Sequence, residues 1–148
     1  MKTYYKSKAK YSKIDDNGNN KNVTETFLVD AVSFTDAEQR MYERLAELVD
    51  GDFIVTSCIP SKYTDILEKE DRDTFYDARI RYASIDEGTG KTKIVSNLFL
   101  VAANDVKEAF EFIEEDLKTM LVPYTVHSIT ESPVIEVFHW ESEEEEDE

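Results

Sequence analysis

The feature that most constrains this chain is an internal repeat. Tyr5, Tyr11, Ile14 and Asp15 recur 71 places later as Tyr76, Tyr82, Ile85 and Asp86. After one inserted residue the offset becomes 72, and Gly18, Lys21, Val23, Phe27, Leu28, Val29, Ala31, Ala37, Glu43 and Leu45 match Gly90, Lys93, Val95, Phe99, Leu100, Val101, Ala103, Ala109, Glu115 and Leu117. The offset returns to 71 where Val55 and Ser57 match Val126 and Ser128, and where Asp65-Ile66 matches Glu136-Val137. Offsets change where turns are expected, which is where a chain tolerates insertions. The pattern predicts two copies of one small supersecondary unit.

Each copy reads β-β-α-β. In residues 4–11 the aromatic and small residues Tyr5, Ser7, Ala9 and Tyr11 alternate with Tyr4, Lys6, Lys8 and Lys10, the period of a strand with one face inward. The second copy repeats this with Tyr76, Ala78, Ile80 and Tyr82 against Phe75, Asp77, Arg79 and Arg81. Residues 15–20 and 86–90, rich in Asp, Asn and Gly, predict hairpin turns, and returning strands run over about 21–31 and 93–103. A capping box at Thr35 and Glu38 opens a helix to about Val49, with Phe34, Ala37, Met41, Leu45 and Leu48 on one stripe. Val106, Ala109, Phe110, Ile113, Leu117 and Met120 form the matching stripe. Strands over 53–59 and 124–129 break near Pro60 and Pro133, and short strands follow at 63–67 and 134–140. The expected class is α+β: antiparallel strands, a helix packed on each copy, and the two copies sharing a sheet. The organisation is 3–67 as first unit, 68–73 as linker, 74–140 as second unit and 141–148 as a disordered acidic tail.

Charge narrows the function. The 148 residues hold 17 Lys and Arg against 33 Asp and Glu, a net charge of -16, which excludes a simple basic binder of nucleic acid or membrane surface. Seven acids lie in residues 141–148; without them 26 acidic and 17 basic residues leave -9. Residues 2–13 carry five lysines and no acid, whereas residues 105–118 carry six acids and two lysines. No apolar run approaches the ~18 residues of a membrane span, and residues 1–5 lack a signal peptide's apolar region. One cysteine, Cys58, fits a reducing, cytoplasmic compartment.

Catalytic signatures are not found. Gly88-Thr89-Gly90-Lys91-Thr92 ends like a phosphate loop, but Ile85 stands where its first glycine belongs, and the segment joins two strands rather than a strand and a helix. His127 and His139 fall on different strands and Cys58 has no spaced partner, so no metal ligand set is expected, nor a nucleophile with its base. The chain reads as a non-enzyme without cofactor or metal.

The informative constellation is the opening strand of each copy. Tyr4, Lys6, Lys8, Lys10 and Lys13 are expected to project from one face, with Phe75, Arg79 and Arg81 at the equivalent places. Flat rings can stack on unpaired bases while cations follow phosphates, which suits single-stranded nucleic acid. The same alternation also keeps an exposed strand soluble and blocks edge pairing. Trp140 and the acids Glu143, Glu144, Glu145, Glu146, Asp147 and Glu148 form a second candidate contact, able to occupy a basic groove until DNA displaces them or to dock on basic partners. Exposed sheet edges make a homodimer plausible.

The aromatic pair opening a basic strand, Phe27-Leu28-Val29-Asp30-Ala31 leading through Ser33-Phe34-Thr35 into a helix, and Ser132-Pro133-Val134-Ile135-Glu136-Val137-Phe138 together resemble an uncharacterised domain-of-unknown-function family of Bacteroidetes and their phages, crAss-like phages included. That resemblance covers most of 3–138 and implies a phage or mobile-element setting in a bacterial host, without assigning catalytic residues. At fold level the units also resemble the duplicated sheet-plus-helix modules of PUR-alpha and Whirly proteins, which bind single strands on their sheets. Those have four strands before the helix; here two precede it. The expected function is non-enzymatic single-stranded DNA binding, with the tail regulating access or recruiting partners. The alternative is an acidic protein-interaction module, such as a phage structural, regulatory or anti-defence, DNA-mimicking factor.

Overall fold

The computed structural model describes residues 3–140; the acidic run expected as a tail lies outside them. The element order is β1 Thr3–Ile14, β2 Asn20–Ala31, α1 Phe34–Leu48, β3 Phe53–Pro60, β4 Asp65–Leu67, β5 Thr74–Ile85, β6 Thr92–Ala103, α2 Val106–Leu117, β7 Tyr124–Glu131 and β8 Val134–Phe138. It is an α+β architecture with two helices and two four-stranded sheets among the described residues.

Local chemistry accounts for the elements. In the β1–β2 turn the Asp15 carboxylate accepts the amides of Asn17 and Asn19, each at 2.9 Å, and Gly18 takes a φ of 82°. The β5–β6 turn repeats this with Asp86 accepting from Gly88 at 2.8 Å and Gly90 at a φ of 72°, conformations that side-chain-bearing residues adopt at a cost. Both helices start on a reciprocal cap. The Ser33 hydroxyl accepts from the Asp36 amide at 3.1 Å while Asp36 accepts from the Val32 amide; Asp105 and Glu108 do the same at the head of α2. The cap of α1 is therefore Ser33 with Asp36, two residues before the expected Thr35 and Glu38, because Ser33 holds the extended φ of -158° of a cap while Thr35 is already helical.

Of the described residues, one compact unit holds 3–61 together with 133–140, and the other holds Lys62–Ser132. The first has strand order β3-β1-β2-β8 and the second, read in the same sense, β7-β5-β6-β4. In both the first two strands form a 12-residue antiparallel hairpin, the third strand pairs antiparallel with the first across a bulge, and a short strand pairs parallel with the second.

Three expectations change here. The strands form two sheets rather than one shared sheet, and each is mixed rather than antiparallel. The short strand β4, expected with residues 3–67, hydrogen-bonds to β6, whereas β8, expected with 74–140, hydrogen-bonds to β2. Residues 68–73, expected as the linker, lie inside the second unit, where Asp71 turns the chain at a φ of 63°. Alternation identifies a strand and its inward face but not its neighbour, so pairing partners were out of its reach.

Each sheet buries one face under its helix. Ala9, Phe27, Val29, Ala31, Cys58 and Phe138 pack with Ala37, Met41 and Leu45 of α1 in the first unit. Tyr76, Ala78, Ile80, Phe99, Val101 and Ala103 pack with Ala109 and Ile113 of α2 in the second. Burial of a side chain such as Leu45 or Ile113 contributes roughly 1.5–3 kcal/mol. The helical stripes are narrower than expected, since Phe34, Leu48, Val106 and Phe110 remain exposed.

Candidate nucleic-acid interface

Because Tyr5, Ala9 and Tyr11 point to α1, the alternation of β1 turns Tyr4, Lys6, Lys8 and Lys10 to the opposite face. Lys8 and Lys10 are exposed and Lys6 is half-buried. Their cross-strand neighbours are neutral: Lys8 stands between Thr26 and Ser57, Lys10 between Thr24 and Ile54. In the second unit Arg79 lies between Leu98 and Ser128 and donates to the Ser96 hydroxyl at 3.2 Å, and Arg81 lies between Ser96 and Thr125. Both arginines are exposed. Among the described strand residues on these two faces the carboxylates are Asp30 and Asp77. Asp30 is fully buried and Asp77 accepts a 2.5 Å hydrogen bond from the Tyr63 hydroxyl. Burial and the Asp77 carboxylate both push the Tyr63 phenol upward, holding it as a neutral donor. The exposed charge on each face is thus positive in a strongly acidic protein.

Three of the expected contact residues sit elsewhere. Lys13 shares the parity of Tyr11, so it turns to the helix side, where its ammonium lies 3.5 Å from Glu25. Phe75 is only 8% exposed, since its end of β5 is covered on both faces, and offers no ring for stacking. Tyr4 is half-buried; its hydroxyl meets His139 Nδ1 at 3.3 Å and its ring stands edge-on to the imidazole.

Trp140, expected as a partner contact, is fastened into the first unit. Its amide donates to Asp30 Oδ1 at 3.0 Å, and the Arg40 guanidinium lies 4.8 Å over its ring. Arg40 also bridges the Asp30 carboxylate at 3.1 Å and the Asp30 carbonyl at 2.8 Å. Arg44 donates to the His139 carbonyl at 2.7 Å, and His139 Nδ1 lies 3.8 Å from Asp30 Oδ2. A buried carboxylate thereby fixes the point from which the acidic run departs. Its signal was present as one acid inside the apolar run Phe27-Leu28-Val29-Asp30-Ala31. Glu143, Glu144, Glu145, Glu146, Asp147 and Glu148 lie outside the described residues.

Residues 3–140, the same span as the two units, match the model of a family described as a domain of unknown function, DUF4494. The chain belongs to that family. No curated protein and no solved structure matches the chain. In this DUF4494 chain no described helix is long and apolar enough to cross a membrane. Gly88-Thr89-Gly90-Lys91-Thr92 runs from the β5–β6 turn into β6 and so joins two strands. Cys58 is buried beneath α1, and burial pushes its thiol upward, against the thiolate that a nucleophile or ligand requires. His127 lies on β7 of the second unit and His139 past the end of β8 in the first.

Proposed function

We propose that this DUF4494 protein is a non-enzymatic binder of single-stranded DNA, working in the cytoplasm of a bacterial host as part of a phage or mobile element, and that its two units descend from one duplicated module. The observation that carries the reading is the segregation of charge. Lys6, Lys8 and Lys10, and Arg79 and Arg81, keep sheet faces whose carboxylates are buried or already bonded, although the chain as a whole is acidic. Alternate residues of a strand stand about 6.6 Å apart, so each row is a narrow linear track of cations that a flexible strand can follow. Thr24, Thr56, Ser96 and Thr125 supply hydroxyl donors beside the rows, the groups that commonly accompany Lys and Arg on phosphates.

The withdrawal of Tyr4 and Phe75 refines the reading. Contact with bases passes to the exposed Ile54, Ile59, Ile94 and His127 on the same faces, which favours backbone-led binding with little base preference. Residues 141–148 then act as a competing polyanion or a recruiting segment, leaving from the fixed Trp140. A titration of oligo-dT and of duplex DNA, each with the full chain and with a chain ending at Trp140, tests this. Binding to oligo-dT that strengthens on truncation is expected; no binding of the shortened chain at low salt overturns the reading.

A second reading is favoured by the same two rings. With Tyr4 and Phe75 committed to the fold, the accessible carboxylates of α2, Glu111, Glu114, Glu115 and Asp116, make an acidic protein-interaction module the alternative. Recovery of a basic protein with the chain, together with absence of DNA binding, would favour it.

A further inference from the structure

The first unit has a cleft that the DNA-binding reading does not use. It lies on the helix side of the sheet, enclosed by the β1–β2 hairpin, the C-terminal end of α1 and β8, with a volume of about 640 Å³. That falls within the roughly 300–1,000 Å³ of small-molecule pockets. Its wall includes three apolar side chains that are otherwise left in water: Ile14 at 69%, Leu48 at 59% and Ile135 at 42% exposure. Its floor is polar. The Tyr11 hydroxyl donates to Glu25 Oε1, and Glu25 Oε2 lies 3.5 Å from the Lys13 ammonium. The Glu25 side chain is only 18% exposed, while Lys13, at 58%, is free to swing into solvent.

The second unit shows that the fold does not need this polar set. By the repeat, Tyr11 is matched by Tyr82, but Glu25 is matched by Asn97, Lys13 by Ser84 and Ile135 by Thr64. The second unit keeps Ile85 in the place of Ile14 but stands without the carboxylate, its cation or the apolar residue at Ile135, and the joint presence of these three in the first unit calls for a role of its own. Glu25, Asp50 and Glu136 line the cleft against the single Lys13, so its field repels anions.

We propose that this cleft binds a small amphipathic organic cation, an amine or guanidine, whose apolar body rests on Ile14, Leu48 and Ile135 and whose charged group replaces Lys13 on the Glu25 carboxylate. Desolvation raises the affinity of Glu25 for a proton in the free protein, and a bound ammonium favours its ionised form. Binding therefore weakens as pH falls through the Glu25 titration. The charged and titratable groups facing Glu25 across the cleft are Tyr11 and Lys13 from β1, Asp50 beyond α1 and Glu136 from β8.

The test is an amide-resolved NMR titration of the full chain with three probes that share an indole ring: tryptamine, neutral tryptophol and indole-3-acetate. Tryptamine is expected to bind about tenfold more tightly than tryptophol, the worth of one charge-assisted hydrogen bond, with indole-3-acetate weakest and the shifts centred on Ser12, Leu48 and Ile135. Glu25→Gln should bring tryptamine down to tryptophol's level, and Lys13→Ala, which removes the internal competitor from an exposed position, should tighten it severalfold. Equal binding of tryptamine and tryptophol, shifts centred elsewhere, or no shifts at millimolar tryptamine with both wild type and Lys13→Ala would overturn the proposal. Lys13→Ala keeps the test decisive should Glu25→Gln fail to fold.

Discussion

The two units share strand order, hairpin length and cap chemistry, yet they fasten the extension that follows the short parallel strand, β8 in the first and β4 in the second, in opposite ways. In the first, the cation is on the helix and the ring is on the extension: Arg40 of α1 lies over Trp140. In the second, the ring is on the helix and the cation is on the extension: Lys69 lies 4.7 Å over Phe112 of α2. Arg40 and Phe112 are equivalent by the repeat, as are Trp140 and Lys69. Each unit thus sets a cation against a ring between helix and extension, with the partners on opposite sides. The first unit adds what the second omits. Asp30, buried beneath that pair, is matched by Ala102, and buried Ser7, which donates to the Ser57 carbonyl at 2.9 Å, is matched by Ala78. A unit of the same strand order folds without these buried polar groups, so the strand order itself does not depend on them.

The largest effect should come from breaking that buried pair. Asp30→Ala removes the acceptor that Arg40 and the Trp140 amide share, while Arg40 keeps Asp36 at 3.2 Å, and is expected to cost about 1.5–3 kcal/mol in urea denaturation. The double substitution Asp30→Ala with Arg40→Phe, which copies Ala102 and Phe112, should recover part of that stability. If the double variant is no more stable than the single one, the two units are not interchangeable at this site.

The caps provide a smaller and symmetric effect. Ser33→Ala and Asp105→Ala should each cost about 1 kcal/mol, and a clear inequality between them would show that one helix is held chiefly by other interactions.

The pH dependence separates the units by sign. Glu25, desolvated, has its pKa raised by folding, so its ionised form opposes folding; that penalty is present above the folded pKa and vanishes below the unfolded value of about 4.3. Glu108 has its pKa lowered, first by its hydrogen bond from Arg72 and then by the Asn104 amide. Its contribution is present above about 4.3 and is lost as pH falls through the depressed folded value. Relative to wild type, Glu25→Gln should therefore look better at pH 7 than at pH 3.5, and Glu108→Gln worse. Matching trends in the two denaturation series would contradict this assignment.

Much of the architecture was legible in the sequence because it depends on local chemistry. Alternation located the paired strands and their inward faces, the Asp and Gly turns located the hairpins, a capping box placed the start of α1 within two residues, and the apolar stripe from Val106 placed α2. What was not legible depends on non-local pairing. Leu67 and Val137 read as strand residues under any topology, and nothing local says that each short strand pairs parallel to a hairpin strand of the other repeat. At the candidate interface the parity of Lys13 was readable from Tyr5, Ala9 and Tyr11, and placing it with Lys6, Lys8 and Lys10 misapplied the period. The burial of Phe75 was not readable, because the aromatic-then-charged pattern is the same whether that end of the strand is open or covered.

The central claim, that cation rows on both sheets carry single-stranded DNA, is tested most directly by the salt dependence of oligo-dT binding. Wild type should show a linear fall of log affinity with log salt. Replacing Lys8 and Lys10, or Arg79 and Arg81, by alanine should lower that slope by about 0.7 for each phosphate that is no longer neutralised. A slope that stays the same in both double variants would mean that neither row touches the strand.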